Sequence, residues 1–190
     1  MKNHKKEEIV INIRKLADNS YQIAESISKK FYENKCPSLN ELFVLKQNGS
    51  VYTQKDIIEK YNISGKGLYV LGKEENNTII PVYVGISRDI TTRLKQHGWG
   101  KNHNQASLAY LITMHSYSQN FSLTEPSFQV VSKTKRKYIK ENDPDFIKAK
   151  EIVRNYYVVT YPIEGSYELH FHEIAIACIL KTYWNSFRTN

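Results

Sequence analysis

The chain has 190 residues, enough for one domain with a core of its own and one elaboration. Lys and Arg number 27 against 19 acids, a formal charge of +8, which favours a polyanionic partner without identifying it. With 41% hydrophobic residues, eight Gly and five Pro, the composition excludes a disordered chain, and no apolar run approaches a membrane span. The charged stretch 1–8 lacks the apolar segment of a secretory signal. The two cysteines, Cys36 and Cys178, form no CxxC word and suit a reducing compartment. Together these features predict a cytoplasmic protein with no membrane partner. Cys178, in an apolar helical stretch, is expected to be a small buried residue.

In chain order, Ile9, Ile13, Leu16, Ile23, Ile27 and Phe31 predict a helix over 8–34, followed by Pro37. This helix is expected to cover a sheet; the alternative is contact with a second subunit. Asn48-Gly49 reads as a hairpin turn between strands at 42–46 and 50–53, and 54–61 as a short helix. Residues 67–72 and 79–86 read as an antiparallel hairpin with its turn at 74–77. Ser87 and Asp89 can cap a helix over 90–97, which Gly98 and Gly100 then break. A helix is expected over 104–115 and another over 144–154, starting at Pro144. Residues 156–163 form the last strand and 167–183 the last helix. The predicted fold is α/β of the α+β kind: a small three-stranded antiparallel sheet flanked by helices, with an N-terminal helical extension. Residues 1–60 are assigned to the extension and 61–190 to the core, with an insertion at about 116–155.

The chemistry concentrates in two tyrosine–glycine words, Gly67-Leu68-Tyr69 and Tyr83-Val84-Gly85, followed by Arg93 and His97. Arg93 and His97 are four apart and share a helical face. Downstream, Glu173 enters the apolar run Ile174-Ala175-Ile176-Ala177-Cys178, where an unpaired carboxylate is costly unless it has a task. Hydrolysis of a phosphodiester needs an oriented, deprotonated water, neutralised phosphate charge and a stabilised leaving oxygen. Tyr69 can serve the first, Arg93 the second, and a divalent ion on Glu173 the second and third. Each residue also has a plain structural reading, as strand packing, solvated charge or helix boundary. His170 and His172 beside Glu173 raise a zinc reading, although His-x-His does not fit one helical face. The cations Lys133, Lys135, Arg136, Lys137 and Lys140, with Tyr138 among them, read either as a solvated loop or as a surface for a phosphate backbone.

The order and spacing of the two words, of Arg93 and His97, and of Glu173 with Asn185 a dozen residues later resemble the GIY-YIG nuclease superfamily. The resemblance spans about 64–188. It implies that Tyr69 orients or activates the water and that Tyr83 buttresses the site and touches phosphate. It places Arg93 on the scissile phosphate, His97 near the nucleophile, and one Mg²⁺ (or Mn²⁺) on Glu173. Gly67, Gly85 and Asn185 are supporting residues. The chain departs from the pattern at Ile86, where several relatives have a lysine that lowers the phenol pKa. Arg88, Lys95, His97 or Lys66 are the candidates to replace it, and His97 is an alternative base to Tyr69. The implied activity is restriction-type cleavage of double-stranded DNA, with a homodimer matching a palindromic site. The alternatives are a non-catalytic nucleic-acid-binding module and a ribonuclease.

Overall fold

The computed structural model describes residues 12–43, 59–61, 63, 65–119, 139 and 141–185. Three antiparallel strands, β1 (Gly67–Glu75), β2 (Thr78–Ser87) and β3 (Tyr157–Pro162), lie in the order β2-β1-β3. β1 is central and its residues 67–72 are buried, which explains their unbroken apolar character. The expected turn is shorter than 74–77. Glu74 and Glu75 stay in β1, and Asn76 and Asn77 alone make the turn with φ of 50° and 61°. Two left-handed residues give the twist a tight hairpin needs, and Asn tolerates that region.

Between Leu71 and Gly72 the register with β2 slips, so Val82 has no partner opposite it. This bulge puts Val82 and Tyr83 on one face, where both meet the cluster containing Tyr69 and Leu71. That face is covered by α2 (Leu39–Phe43), α3 (Ile90–Trp99), α4 (Ser107–Gln119) and α5 (Pro144–Arg154). The other face carries Leu68, Val70, Val84 and Val159, packed by α1 (Ile13–Tyr32) and α6 (Ser166–Ile179).

The helix expected over 8–34 begins at 13 because Asn12 caps it, accepting from Lys15 N at 3.0 Å. α1 lies on the sheet and against α6, the covering role. The strand expected over 42–46 is overturned at its start: Leu42 and Phe43 close α2, and Leu42 is buried in the core. The hairpin at Asn48-Gly49 and most of the helix over 54–61 lie outside the described residues; residues 59 and 60 are helical. Gly98 does not break α3, which ends with Gly100 as its cap. The helix expected over 104–115 runs from 107 to 119, because Asn102 to Ala106 form a turn stitched by the Asn102 side chain. α5 has the expected bounds, with Asp143 as cap and Pro144 at its start. α6 stops at 179, where Leu180 caps it and Lys181 turns left-handed (φ 52°). Cys178 is exposed on α6, contrary to expectation, whereas Cys36 is buried and its thiol is pushed up to about 11, first by burial. No helix among the described residues is long and apolar enough to cross a membrane.

Candidate active site

Tyr69 lies directly opposite Gly85 across the β1–β2 ladder. A Cβ on Gly85 would stand 2.4 Å from both Cζ and the hydroxyl oxygen of Tyr69, so only bare backbone lets the ring lie over β2. Gly67 makes the corresponding close approach on the other side, where a Cβ would fall 2.4 Å from the Tyr161 carbonyl of β3. The two glycines of the words are therefore steric requirements of the site's floor.

α3 supplies the next two groups. Its start is fixed by the Asp89 carboxylate, which accepts from Thr92 N at 3.0 Å and Thr92 Oγ1 at 2.7 Å. These bonds hold the Asp89 carboxyl below its usual range. Ile90 N–H donates to the Gly65 carbonyl at 3.0 Å, and Thr91 Oγ1 to Ile63 O at 2.9 Å. Its far end is held by α5: Arg154 Nε donates to Gly98 O at 2.9 Å while stacking over Trp99, and Lys150 Nζ reaches Gly100 O at 3.4 Å. Two cations thus face the negative end of the helix dipole.

Between these anchors, His97 is fully buried and its Nε2 lies 2.8 Å from the Tyr69 hydroxyl. Burial, with the Arg93 charge second, lowers the His97 pKa to about 3, so the ring is neutral. Its Nδ1 is buried with no hydrogen-bond partner among the described residues. A buried orphan N–H is rarer than an orphan lone pair, which assigns the proton to Nε2. His97 therefore donates to the Tyr69 oxygen. Burial raises the Tyr69 pKa well above the usual phenol value, and the neighbouring Tyr83 adds to this; the charge and hydrogen bonding of Arg93 oppose it. Tyr83 is raised first by burial, against the same Arg93 charge. Both phenols also sense the Glu173 charge, so groups distant along the chain meet in one electrostatic neighbourhood.

Arg93 is held from one side. Nη1 donates to Gln105 O at 2.9 Å and Asn104 O at 3.0 Å, with Gln96 Oε1 at 3.3 Å. Nη2 donates to Ser107 Oγ at 2.8 Å. No further hydrogen bond of normal length is made by the guanidinium among the described residues, and it lies close enough to the Tyr69 phenol to favour that group's ionised form. A guanidinium fixed in this manner can present an edge to an oxyanion.

Glu173 is half-buried on α6, with its side chain 23% exposed. Its one ion-pair contact among the described residues is His170 Nδ1, at 3.9 Å and itself well exposed. Burial raises the carboxyl's pKa, and His170 only partly offsets this. Such a carboxylate can accept a hard cation that keeps most of its waters. The zinc reading is not met: no group of three His, Cys, Asp or Glu among the described residues is arranged to hold a metal. His170 points to solvent, whereas His172 is buried and Ser20 Oγ lies 2.8 Å from its Nδ1. Ser20 donates its own proton to Leu16 O at 2.9 Å, so His172 Nδ1–H is the donor to Ser20. This bond ties α6, and with it Glu173, to α1.

Asn185 has a structural place. Its Oδ1 accepts from Val84 N at 2.7 Å and its Nδ2 donates to Val84 O at 2.8 Å, while Thr182 Oγ1 donates to Oδ1 at 2.8 Å. With Trp184 N donating to Val82 O at 2.9 Å, the segment after α6 closes the outer edge of β2. Among the candidates to help the phenol, Lys66 is occupied: its ammonium donates to Glu164 O and to Ser166 Oγ at the start of α6. Arg88 and Lys95 are exposed, and the group in contact with the Tyr69 oxygen is His97. Lys133, Lys135, Arg136, Lys137 and Lys140 lie outside the described residues. Sequence reasoning missed Ser107 and the carbonyls of Asn104 and Gln105. The serine is an ordinary helix-start residue, and backbone acceptors carry no side-chain signature.

Comparison of the chain with protein-family models, with curated proteins and with solved structures gives no match.

Proposed function

We propose that the protein is a metal-dependent endonuclease that hydrolyses DNA phosphodiester bonds, as its resemblance to GIY-YIG nucleases implies. The observation that carries this reading is the meeting of Tyr69, Tyr83 and Arg93 in one neighbourhood with a carboxylate, Glu173, whose one ion-pair contact among the described residues is the exposed His170 at 3.9 Å. An arginine anchored on the turn before α4 and lying beside the two phenols suits an oxyanion.

In the proposed reaction Arg93 binds the scissile phosphate and offsets its charge. After Tyr69 has released its own proton to solvent, the phenolate accepts a hydrogen bond from the attacking water and takes its proton as the water oxygen bonds to phosphorus and the P–O bond to the leaving oxygen breaks, the leaving oxygen taking a proton from solvent. His97 stays neutral and keeps its Nε2–H on the Tyr69 oxygen, favouring the phenolate where a lysine at Ile86 would otherwise act. Its neutral ring, in contact with the Tyr69 oxygen, supports a role through Tyr69. Tyr83 donates to a non-bridging phosphate oxygen. Glu173 would hold one Mg²⁺ or Mn²⁺, which supplies positive charge beside the phosphate and the leaving oxygen when bound.

Supercoiled plasmid incubated with Mg²⁺ is expected to be cut. Arg93→Ala and Glu173→Ala are each expected to lower the rate about 10²-fold or more. Cutting by Glu173→Ala at the wild-type rate would refute the metal assignment. Tight, salt-sensitive DNA binding without cutting under any divalent ion would favour a binding module, and cleavage of RNA in place of DNA would change the substrate class. Double-strand breaks at one sequence would support the restriction-type role and the homodimer.

A further inference from the structure

Ser107 is the first residue of α4, a 13-residue helix packed into the core through Leu108 and Ala109, so its hydroxyl has a fixed position. The Nη1 contacts of Arg93 all lie on one side of the guanidinium, on carbonyls of the turn before α4 and on Gln96. Contacts at Nη1 alone leave the planar group free to swing about that nitrogen. The Ser107 bond at Nη2, 2.8 Å long, is the contact that stops the swing. A serine hydroxyl that accepts from Arg93 has its own proton left to donate. The Tyr83 phenol is close enough for Ser107 hydrogen bonding to favour its ionised form.

We infer that Ser107 is a positioning residue of this centre, one that fixes the plane of Arg93 so that its guanidinium faces the phosphate oxygens. The inference rests on the endonuclease reading for its consequence, and on the hydrogen bonds alone for its geometry.

The test uses the full chain with Ser107→Ala and Ser107→Thr, the latter retaining the hydroxyl. On plasmid with Mg²⁺, Ser107→Ala is expected to lower kcat about 10- to 100-fold with KM changed less than about 3-fold, as small misplacement of a catalytic group does. Ser107→Thr should recover most of the rate. Independently of cleavage, the ¹⁵N–¹H spectrum of the Arg93 guanidinium, assigned with Arg93→Lys, is expected to show restricted rotation in the wild type and in Ser107→Thr. In Ser107→Ala it should show averaged signals. Wild-type cleavage with an unimpaired Ser107→Ala overturns the inference while the nuclease reading stands. Absence of cleavage by the wild type on both DNA and RNA defeats the nuclease reading; the Arg93 spectrum then decides the geometry, and an unchanged spectrum in Ser107→Ala overturns it.

Discussion

At the scale of single residues, the site charges stability for its chemistry. His97 is neutral with a folded pKa of about 3 against 6.5 when free, so the unfolded chain binds the extra proton. Its contribution to stability is complete above pH 6.5 and is lost as pH falls towards 3. The loss is up to about 1.4 kcal/mol per pH unit, or about 2 kcal/mol between pH 6.5 and 5. Urea unfolding at those two values should show this loss in the wild type and a smaller one in His97→Gln; equal losses would contradict the assignment. Glu173 behaves differently, because its raised pKa means the folded chain prefers the protonated carboxyl. Stability therefore falls as pH rises from 4.5 through the folded value. Glu173→Gln is expected to melt at or above the wild-type temperature at pH 7.5 while losing cleavage, and a clearly lower Tm would show a structural role for the charge. Most of the residues that the fold brings together here were legible in the sequence by side-chain type: two phenols in glycine-flanked words, a cation and an imidazole one turn apart, a carboxylate in an apolar run. Ser107 was not, since only the folded turn before α4 reveals what it touches.

Among the elements, α3 carries Arg93 and His97 and α6 carries Glu173, and each helix is held by partners outside the motif. The Ser20–His172 bond joins α1 to α6 in a buried setting. Ser20→Ala leaves the His172 N–H without an acceptor and is expected to destabilise the fold by about 1–3 kcal/mol, read from denaturant midpoints. A shift under about 0.3 kcal/mol would mean that the ring finds another acceptor. Arg154→Met removes a bond to the last turn of α3 and a cation from its negative end, and is expected to lower Tm without changing the Mg²⁺ dependence of cleavage. The elements themselves were readable where local signals are strong: Asp143-Pro144 starts α5 and Asn76-Asn77 turns the hairpin. They were misread where tertiary contact decides. Leu42 and Phe43 look like strand residues, yet the Ser38 carbonyl accepts from Leu42 N at 3.1 Å and the segment winds into α2. Gly98 looks like a helix breaker, yet helical packing under Arg154 accommodates it.

For the molecule as a whole, one sheet serves two clusters, and the chain after α6 passes round the β2 edge from one to the other. Trp184 belongs to the α3–α5 side, whereas Ile176 and Ala177 belong to the α1 side. The Glu173 charge on α6 also bears on Tyr69 and Tyr83, which are rooted in the opposite cluster. The α+β class was legible from the apolar period of the strands. The packing of α5 into the core through Phe146, Ala149 and Val153 was not, because 116–155 reads as polar overall. With a formal charge of +8, binding to duplex DNA is expected to weaken steeply with salt, log K falling against log[salt] with a slope of about −4 or steeper. Fluorescence anisotropy in Ca²⁺ at several NaCl concentrations measures it, and a slope near zero would argue against contact with the phosphate backbone.

The two thiols differ in a manner that experiment can exploit. Cys178 is exposed on α6, five residues beyond Glu173, whereas Cys36 is buried with a pKa near 11. At pH 7 only about 10⁻⁴ of Cys36 is thiolate, so a maleimide dye should attach to Cys178 alone. The native chain thus carries its own attachment point for a fluorescent reporter, roughly 7.5 Å along the helix axis from the carboxylate.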